Sequence, residues 1–234
     1  LLAAAGASAA VAASPTVKSS GKSSSVVLVD RFSSYSPRTT FTDGDNVGPW
    51  NVVFAGYGSV STESNAGGLL RLSPKAPTRP SDTHAALVVS RETYSDKKLK
   101  VNMRVRTTEQ LRVGSAPNPW ESAWVVWDYT DNDHFTYLAI KPNGWELGKR
   151  DPAYPGGQRF LATGNAPAVA IGDWAVAKVT RKNLKGPRTA TTVKLGSQKL
   201  TRFVDLERPY ESGKVGIYSE DAVVDLSRAK VRSF

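Results

Sequence analysis

The stretch from Asn118 to Asp151, N-P-W-E-S-A-W-V-V-W-D-Y-T-D-N-D-H-F-T-Y-L-A-I-K-P-N-G-W-E-L-G-K-R-D, decides the fold. Apolar and polar residues alternate over Glu121–Tyr129, His134–Lys141 and Trp145–Lys149, which predicts strands. Between them lie turn sequences. Asp131-Asn132-Asp133 offers side chains that bond their own backbone, and Lys141-Pro142-Asn143-Gly144 presets φ at Pro and then supplies Asn and Gly. Three consecutive antiparallel strands are therefore expected. Four of the six tryptophans and one of the two histidines fall in this stretch.

Side chains alternate across a strand, so each run can be read face by face. In the first, Ala123, Val125, Trp127 and Tyr129 are expected on one face, with Ser122, Trp124, Val126 and Asp128 on the other. In the second, His134, Thr136, Leu138 and Ile140 oppose Phe135, Tyr137, Ala139 and Lys141. Neither face is purely apolar. That pattern is expected where one side packs on a second sheet and the other lines an aromatic-rich cleft.

The rest of the chain repeats the theme. Period-2 alternation predicts strands over Ser25–Asp30, Leu69–Ser73, His84–Ser90 and Lys97–Arg106. Further strands are expected at Arg159–Thr163, Trp174–Arg181, Thr189–Leu195, Lys199–Phe203, Lys214–Tyr218 and Ala222–Ser233. Short strands separated by Gly, Pro and Asn turns point to an all-β antiparallel sandwich or jelly roll. A length of 234 residues suits one such domain, expected from residue 26 to residue 234. The absence of cysteine excludes disulfides and thiolate zinc sites, and two histidines are too few for a His-rich metal centre. A metal here would be calcium in a structural role, held by carboxylate, amide and backbone oxygens.

Residues 1–25 read differently. Leu1–Ala13 is apolar and small, with Ala10-Val11-Ala12 fitting a small-x-small cleavage pattern, and is read as a truncated secretory signal. It is too short to span a bilayer. The Ser-, Gly- and Lys-rich stretch Ser14–Ser25 reads as a flexible linker, so a secreted, extracellular setting is expected.

The net charge is +10, unevenly distributed. Lys178, Arg181, Lys182, Lys185, Arg188, Lys194, Lys199 and Arg202 occur between Trp174 and Val204 with no acid among them. Such a stripe attracts anionic polymers, or is simply a solvated face. There is no RNP pattern, zinc-finger spacing or recognition helix, so nucleic acid is not the expected partner. An acidic glycan fits a secreted protein better. A monomer is expected.

The run from Trp127 to Lys149 resembles the central hairpin of laminin-G-like, concanavalin A-like lectin/glucanase domains. Gly213–Val231, G-K-V-G-I-Y-S-E-D-A-V-V-D-L-S-R-A-K-V, resembles the closing strands of that superfamily, and Val29-Asp30-Arg31-Phe32 followed by Trp50 is similar to its opening strand. The resemblance covers Val26 to Phe234. It implies a concanavalin A-like jelly roll that recognises a polysaccharide or glycan, and it brings the termini together, making Asp30 and Asp225 candidate calcium ligands. It carries no activity, since the superfamily includes lectins, binding modules, hydrolases and lyases. The glucanase signature E-x-D-x-x-E is missing between Glu121 and Asp128. The alginate-lyase-like strand R-x-E-L-R is only echoed by Thr107–Arg112, without a Q-I-H partner.

These residues are compatible with three chemistries. Hydrolysis of a glycosidic bond needs two carboxylates, and Glu121, Asp128 and Glu146 are the acids beside aromatics. Elimination on an acidic glycan needs a neutraliser, drawn from Arg104, Arg106, Gln110 and Arg112, and a base, drawn from His134, Tyr137 and Lys141. A non-catalytic lectin-like module needs only platforms and polar contacts. Trp120, Trp124, His134, Tyr137, Lys141, Trp145 and Arg150 are the expected substrate-binding residues in any case, with Trp120 and Trp145 expected to be the exposed tryptophans. Hydrolysis is the leading expectation.

Overall fold

The computed structural model describes residues 27–36, 40–63 and 67–234. The expected signal remnant and linker, residues 1–25, lie outside the described residues.

Two antiparallel sheets pack face to face. Sheet A runs in the order β15 (Gln198–Asp205), β14 (Thr189–Leu195), β13 (Ala175–Asn183), β8 (Lys98–Gln110), β17 (Ala222–Ser233), β6 (Leu69–Ser73), β5 (Ser59–Glu63), β2 (Thr40–Phe41), and β1 (Val27–Asp30) also pairs with β17. Sheet B runs β12 (Gln158–Gly164), β11 (Gly144–Arg150), β10 (His134–Lys141), β9 (Ala123–Asp131), β16 (Lys214–Glu220), β7 (Ala85–Ser90), β4 (Trp50–Phe54), β3 (Asn46–Val47). The expected three-strand meander is β9, β10 and β11. The two last strands are neighbours in sequence and lie in opposite sheets, so the chain crosses the sandwich at Asp221.

The core lies between the sheets and results from alternation. Val125 and Trp127 of β9, with Leu138 and Ile140 of β10, meet Leu99, Val101 and Met103 of β8 and Leu226 and Val231 of β17 in one buried cluster. Burying each such side chain is worth about 1.5–3 kcal/mol. Sheet B is also apolar on its other side. Leu87, Val89, Trp124, Val126, Phe135 and Tyr137 form a second cluster there, so β9 and β10 are covered on both faces.

The expected alternation of β9 fails at Asp128. This residue has a φ of 53°, and the pairings of β9 with both β10 and β16 shift register beside it. The bulge adds a residue to one strand and reverses the facing of the residues beyond it. Tyr129 consequently joins Trp124 on the outer face, while Asp128 turns into the sandwich, where Arg181 of β13 meets it at 3.0 Å. Gly213 permits the close approach, for a Cβ there would come within 2.2 Å of the Asp128 carbonyl carbon. A second ion pair, Lys149 to Asp205 at 2.8 Å, also bridges sheet B to sheet A.

Four strands fall outside the expected set: β2, β3, β4 and β5. Gly, Asp and Asn recur every few residues between Thr42 and Gly58, so alternation never runs long enough to register.

Candidate functional site

The outer face of sheet B is built from rows of residues that stand opposite one another on neighbouring strands. One row runs Phe54, Leu87, Tyr218, Trp124, Ala139, Glu146, across β4, β7, β16, β9, β10 and β11. The next contains Val126, Tyr137, Gly148 and Phe160. In this second row large rings alternate with small residues. Trp124 stacks on Tyr137 at 4.4 Å between ring centroids, and Tyr218 leans on Trp124 at 5.0 Å. Gly148 is required by this packing: a Cβ there would come within 2.2 Å of the Tyr137 hydroxyl oxygen.

Above this floor lie two adjoining cavities of about 220 and 470 Å³ that share Trp124, Gln158 and Glu220. Together they form a groove. Phe54, Phe135, Asn132 and Arg150 line one part, and Trp120, Lys141, Asn143, Glu146 and Phe160 the other. Trp120 is 43% exposed, and its carbonyl accepts the Trp124 indole N–H at 2.8 Å, which ties the rim to the floor.

The groove holds two carboxylates with different surroundings. Glu146 accepts from the Tyr137 hydroxyl at 3.0 Å through one oxygen and from the Lys141 ammonium at 3.2 Å through the other. Glu220 accepts from the Tyr218 hydroxyl at 2.9 Å. Burial pushes the Glu220 carboxyl above its ordinary value, against the Tyr218 hydrogen bond, and the carboxylates of Asp221 and Glu121 add to the rise. Burial and the nearby Glu146 charge drive the Tyr137 phenol far above its ordinary value, so it keeps its proton; Gln158 donates to the same oxygen.

The sequence-expected residues divide cleanly. Trp120, Trp124, Lys141, Glu146 and Arg150 line the groove, and Tyr137 lies in its floor. Others lie elsewhere. Glu121 is fully buried, bound by Arg112 and by Asn118 at 2.7 Å. Asp128 faces the interior, paired with Arg181. His134 sits at the β9–β10 turn, its Nδ1 2.8 Å from Asp131, and is not among the groove-lining residues. Trp145 is not the exposed tryptophan that its place beside a turn predicts. It is 5% exposed and belongs to the core cluster, because its position in β11 has the inward parity of Leu147, and its N–H donates to the Ala166 carbonyl at 3.0 Å.

The expected neutralisers are also committed elsewhere. Arg112 pairs with Glu121 and Asp221, Gln110 donates to the carbonyls of Asn118 and Glu121, and Arg104 and Arg106 lie over Trp174.

Asp30 and Asp225 do not suit calcium. Asp30 accepts from the Phe32 amide, the Tyr35 hydroxyl and the Trp50 indole, at 2.7–2.9 Å. Asp225 is clamped by the guanidiniums of Arg71 and Arg106 at 2.7 and 2.6 Å. A cation at either carboxylate would have to displace donors that already satisfy it. Among the described residues no cluster of three or more His, Cys, Asp or Glu is placed to hold a metal.

Sequence reading places Gln158 in a loop that borders the cleft, and the groove lining includes it; Glu220, Tyr218 and Phe160 are missed. The Gly-x-Tyr of the closing strands is the available signal for Tyr218 and, two residues on, for Glu220.

No family model matches the chain, and no curated protein matches it. Solved structures do. A mutant of the alginate lyase Aly36B in complex with alginate tetrasaccharide is 9% identical, with 89% of this chain and 97% of that one covered and a TM-score of 0.52. The Ca2+-bound exoplasmic/lumenal domain of VIP36 is 12% identical over 89% of this chain and 90% of that one, TM-score 0.50. A protein of unknown function with a galectin-like fold from Bacillus subtilis is 12% identical over 78% and 88%, TM-score 0.50. What they share with this chain is the fold. That fold is an antiparallel β-sandwich of the jelly-roll type, the architecture expected from the central hairpin and closing strands. Among the described residues no helix is long and apolar enough to cross a membrane.

Proposed function

We infer that this is a secreted protein that takes a polysaccharide chain in the groove of sheet B and hydrolyses its glycosidic bonds. The observation that carries this reading is that Glu146 and Glu220 line one cavity together with Trp124. Glycosidic hydrolysis needs two carboxyl groups flanking the bond, one holding a proton for the leaving oxygen and one accepting. Different environments assign such roles. Glu220, raised by burial, is the general acid. Glu146, with a donor on each oxygen, is the carboxylate that acts as nucleophile or as base toward water.

Trp120 and Phe160, both exposed, give sugar rings apolar surfaces to stack on, Trp124 supports them from the floor, and Lys141, Arg150, Asn132 and Asn143 offer partners for hydroxyls. Elimination fits less well, because the Tyr137 phenol holds its proton and Lys141 is engaged by Glu146.

Incubation with a panel of neutral and acidic polysaccharides tests the reading. New reducing ends are expected from the native protein and at least about a hundredfold more slowly from Glu220→Gln or Glu146→Gln, while both variants still migrate slowly in gels containing the substrate. Retardation without any product would make the groove a lectin site and overturn hydrolysis. Ultraviolet absorbance from an unsaturated product would replace hydrolysis with elimination.

A further inference from the structure

The geometry points to a second binding surface on the opposite side of the molecule: the outer face of sheet A holds an acidic polysaccharide, a chain with carboxylates along its sugars. The inference does not depend on chemistry in the groove of sheet B.

Register assembles this surface from four strands that are not consecutive in the chain. In one row Arg232 of β17 stands opposite Lys100 of β8, which stands opposite Thr180 of β13, and Thr180 opposite Thr192 of β14. In the adjacent row Lys230, Asn102, Lys178 and Lys194 occur in the same strand order. All eight border one shallow depression of about 330 Å³. On β15, Arg202 extends the first row and Lys199 the second. With strands about 4.8 Å apart, five strands carry each row across roughly 19 Å. The stripe seen in sequence supplies Lys178, Lys194, Lys199 and Arg202; Lys100, Lys230 and Arg232 are brought beside it by the sheet.

These charges are not neutralised within the chain. Every Asp and Glu lies among the described residues, and none forms an ion pair with Lys100, Lys178, Lys194, Lys230 or Arg232. Lys178 and Lys194 even stand directly opposite, a like-charge pairing that disfavours the sheet. Cations held together against their repulsion focus a positive field that a polyanion relieves. The hydroxyls of Thr180 and Thr192 and the amide of Asn102 lie between them, suited to sugar hydroxyls. Neither row carries an aromatic residue, and the one ring at the edge, Phe234, lies 5.5 Å from the Lys100 ammonium; a single ring is not the run of platforms on which successive bases of a single-stranded nucleic acid stack.

The test compares the full chain with Lys178→Ala/Lys194→Ala/Lys230→Ala by titration with polygalacturonate at low salt. Native protein is expected to bind, the triple variant at least tenfold more weakly, and both to lose affinity at high salt. Fully methyl-esterified polygalacturonate, the same chain without charge, is expected not to bind this face. The variant should melt no lower than the native protein, since the opposed Lys178–Lys194 pair is gone, and its activity in the groove should be unchanged. Equal affinity of native and variant overturns the proposal, as does equal binding of the esterified polymer. Equally tight binding of duplex DNA overturns the assignment to a polysaccharide.

Discussion

Asp128 of sheet B and Arg181 of sheet A form an ion pair inside the sandwich: Nε and Nη2 of Arg181 lie 3.1 and 3.0 Å from Asp128 Oδ1, and both side chains are 1% exposed. A carboxylate that sequence places beside an aromatic cleft is thus a tie between the layers. Burial pushes its pKa up to about 6, although Arg181 pulls the other way.

The pair has a pH signature. Between about pH 4 and the folded value, folded Asp128 keeps a proton that the unfolded chain has released, so its contribution to stability falls as pH rises through that window. Arg181→Met leaves the carboxylate buried without a counter-charge. It should cost about 3–5 kcal/mol at pH 7 and less below about pH 6, with Asp128→Asn/Arg181→Met recovering part of the loss. Urea unfolding midpoints at about pH 5 and 7 check this; a loss independent of pH would contradict it.

Two tryptophans expected from sequence to behave alike should separate. Trp145→Ala empties a core position and should destabilise by about 3–5 kcal/mol. Trp120→Ala, at the rim, should change stability by no more than about 0.5 kcal/mol. Substrate retardation in affinity gels should weaken in the Trp120 variant, and the two measurements together distinguish a platform from a core residue.

Gly148→Ala adds one methyl group under the Tyr137 phenol. Overpacking of this kind costs about 1–3 kcal/mol. The phenol must also move off Glu146, so product formation should fall at least tenfold in protein that is still folded by circular dichroism. Unchanged turnover would show that the Tyr137–Glu146 hydrogen bond does not position the carboxylate.

Hydrolysis should fade as pH rises through the raised pKa of Glu220, since the general acid must arrive protonated. The alkaline limb of kcat/KM is therefore expected above the ordinary carboxylate range. Glu220→Gln should lower the rate by about 10²–10⁴-fold and remove that limb. An alkaline limb that persists in the residual activity would assign the acid to another group.

Much of the sheet structure was legible, because a strand writes its period into neighbouring residues. His134–Lys141 and Ala222–Ser233 have the expected bounds, and the K-P-N-G turn joins β10 to β11. The edge strands Asn46–Val47 and Thr40–Phe41 are two residues long, too short to show any period. Facing was legible up to the bulge at Asp128 and reversed beyond it. Trp145 was misread because a position next to a turn says little about which layer its side chain enters.

Amino-acid order alone determined an all-β chain without cysteine chemistry, and a central hairpin dense in Trp, Tyr and carboxylates, since alternation and turn formation are local properties of a chain. Tertiary structure decided which charges tie the layers together and which line the groove. An Asp looks the same in sequence whether it meets Arg181 in a dry interior or water in a cleft. Glu220 could be placed beside Glu146 only by folding, because β16 reaches the groove through β9 and β10, and cross-strand neighbours are set by register, not by distance along the chain.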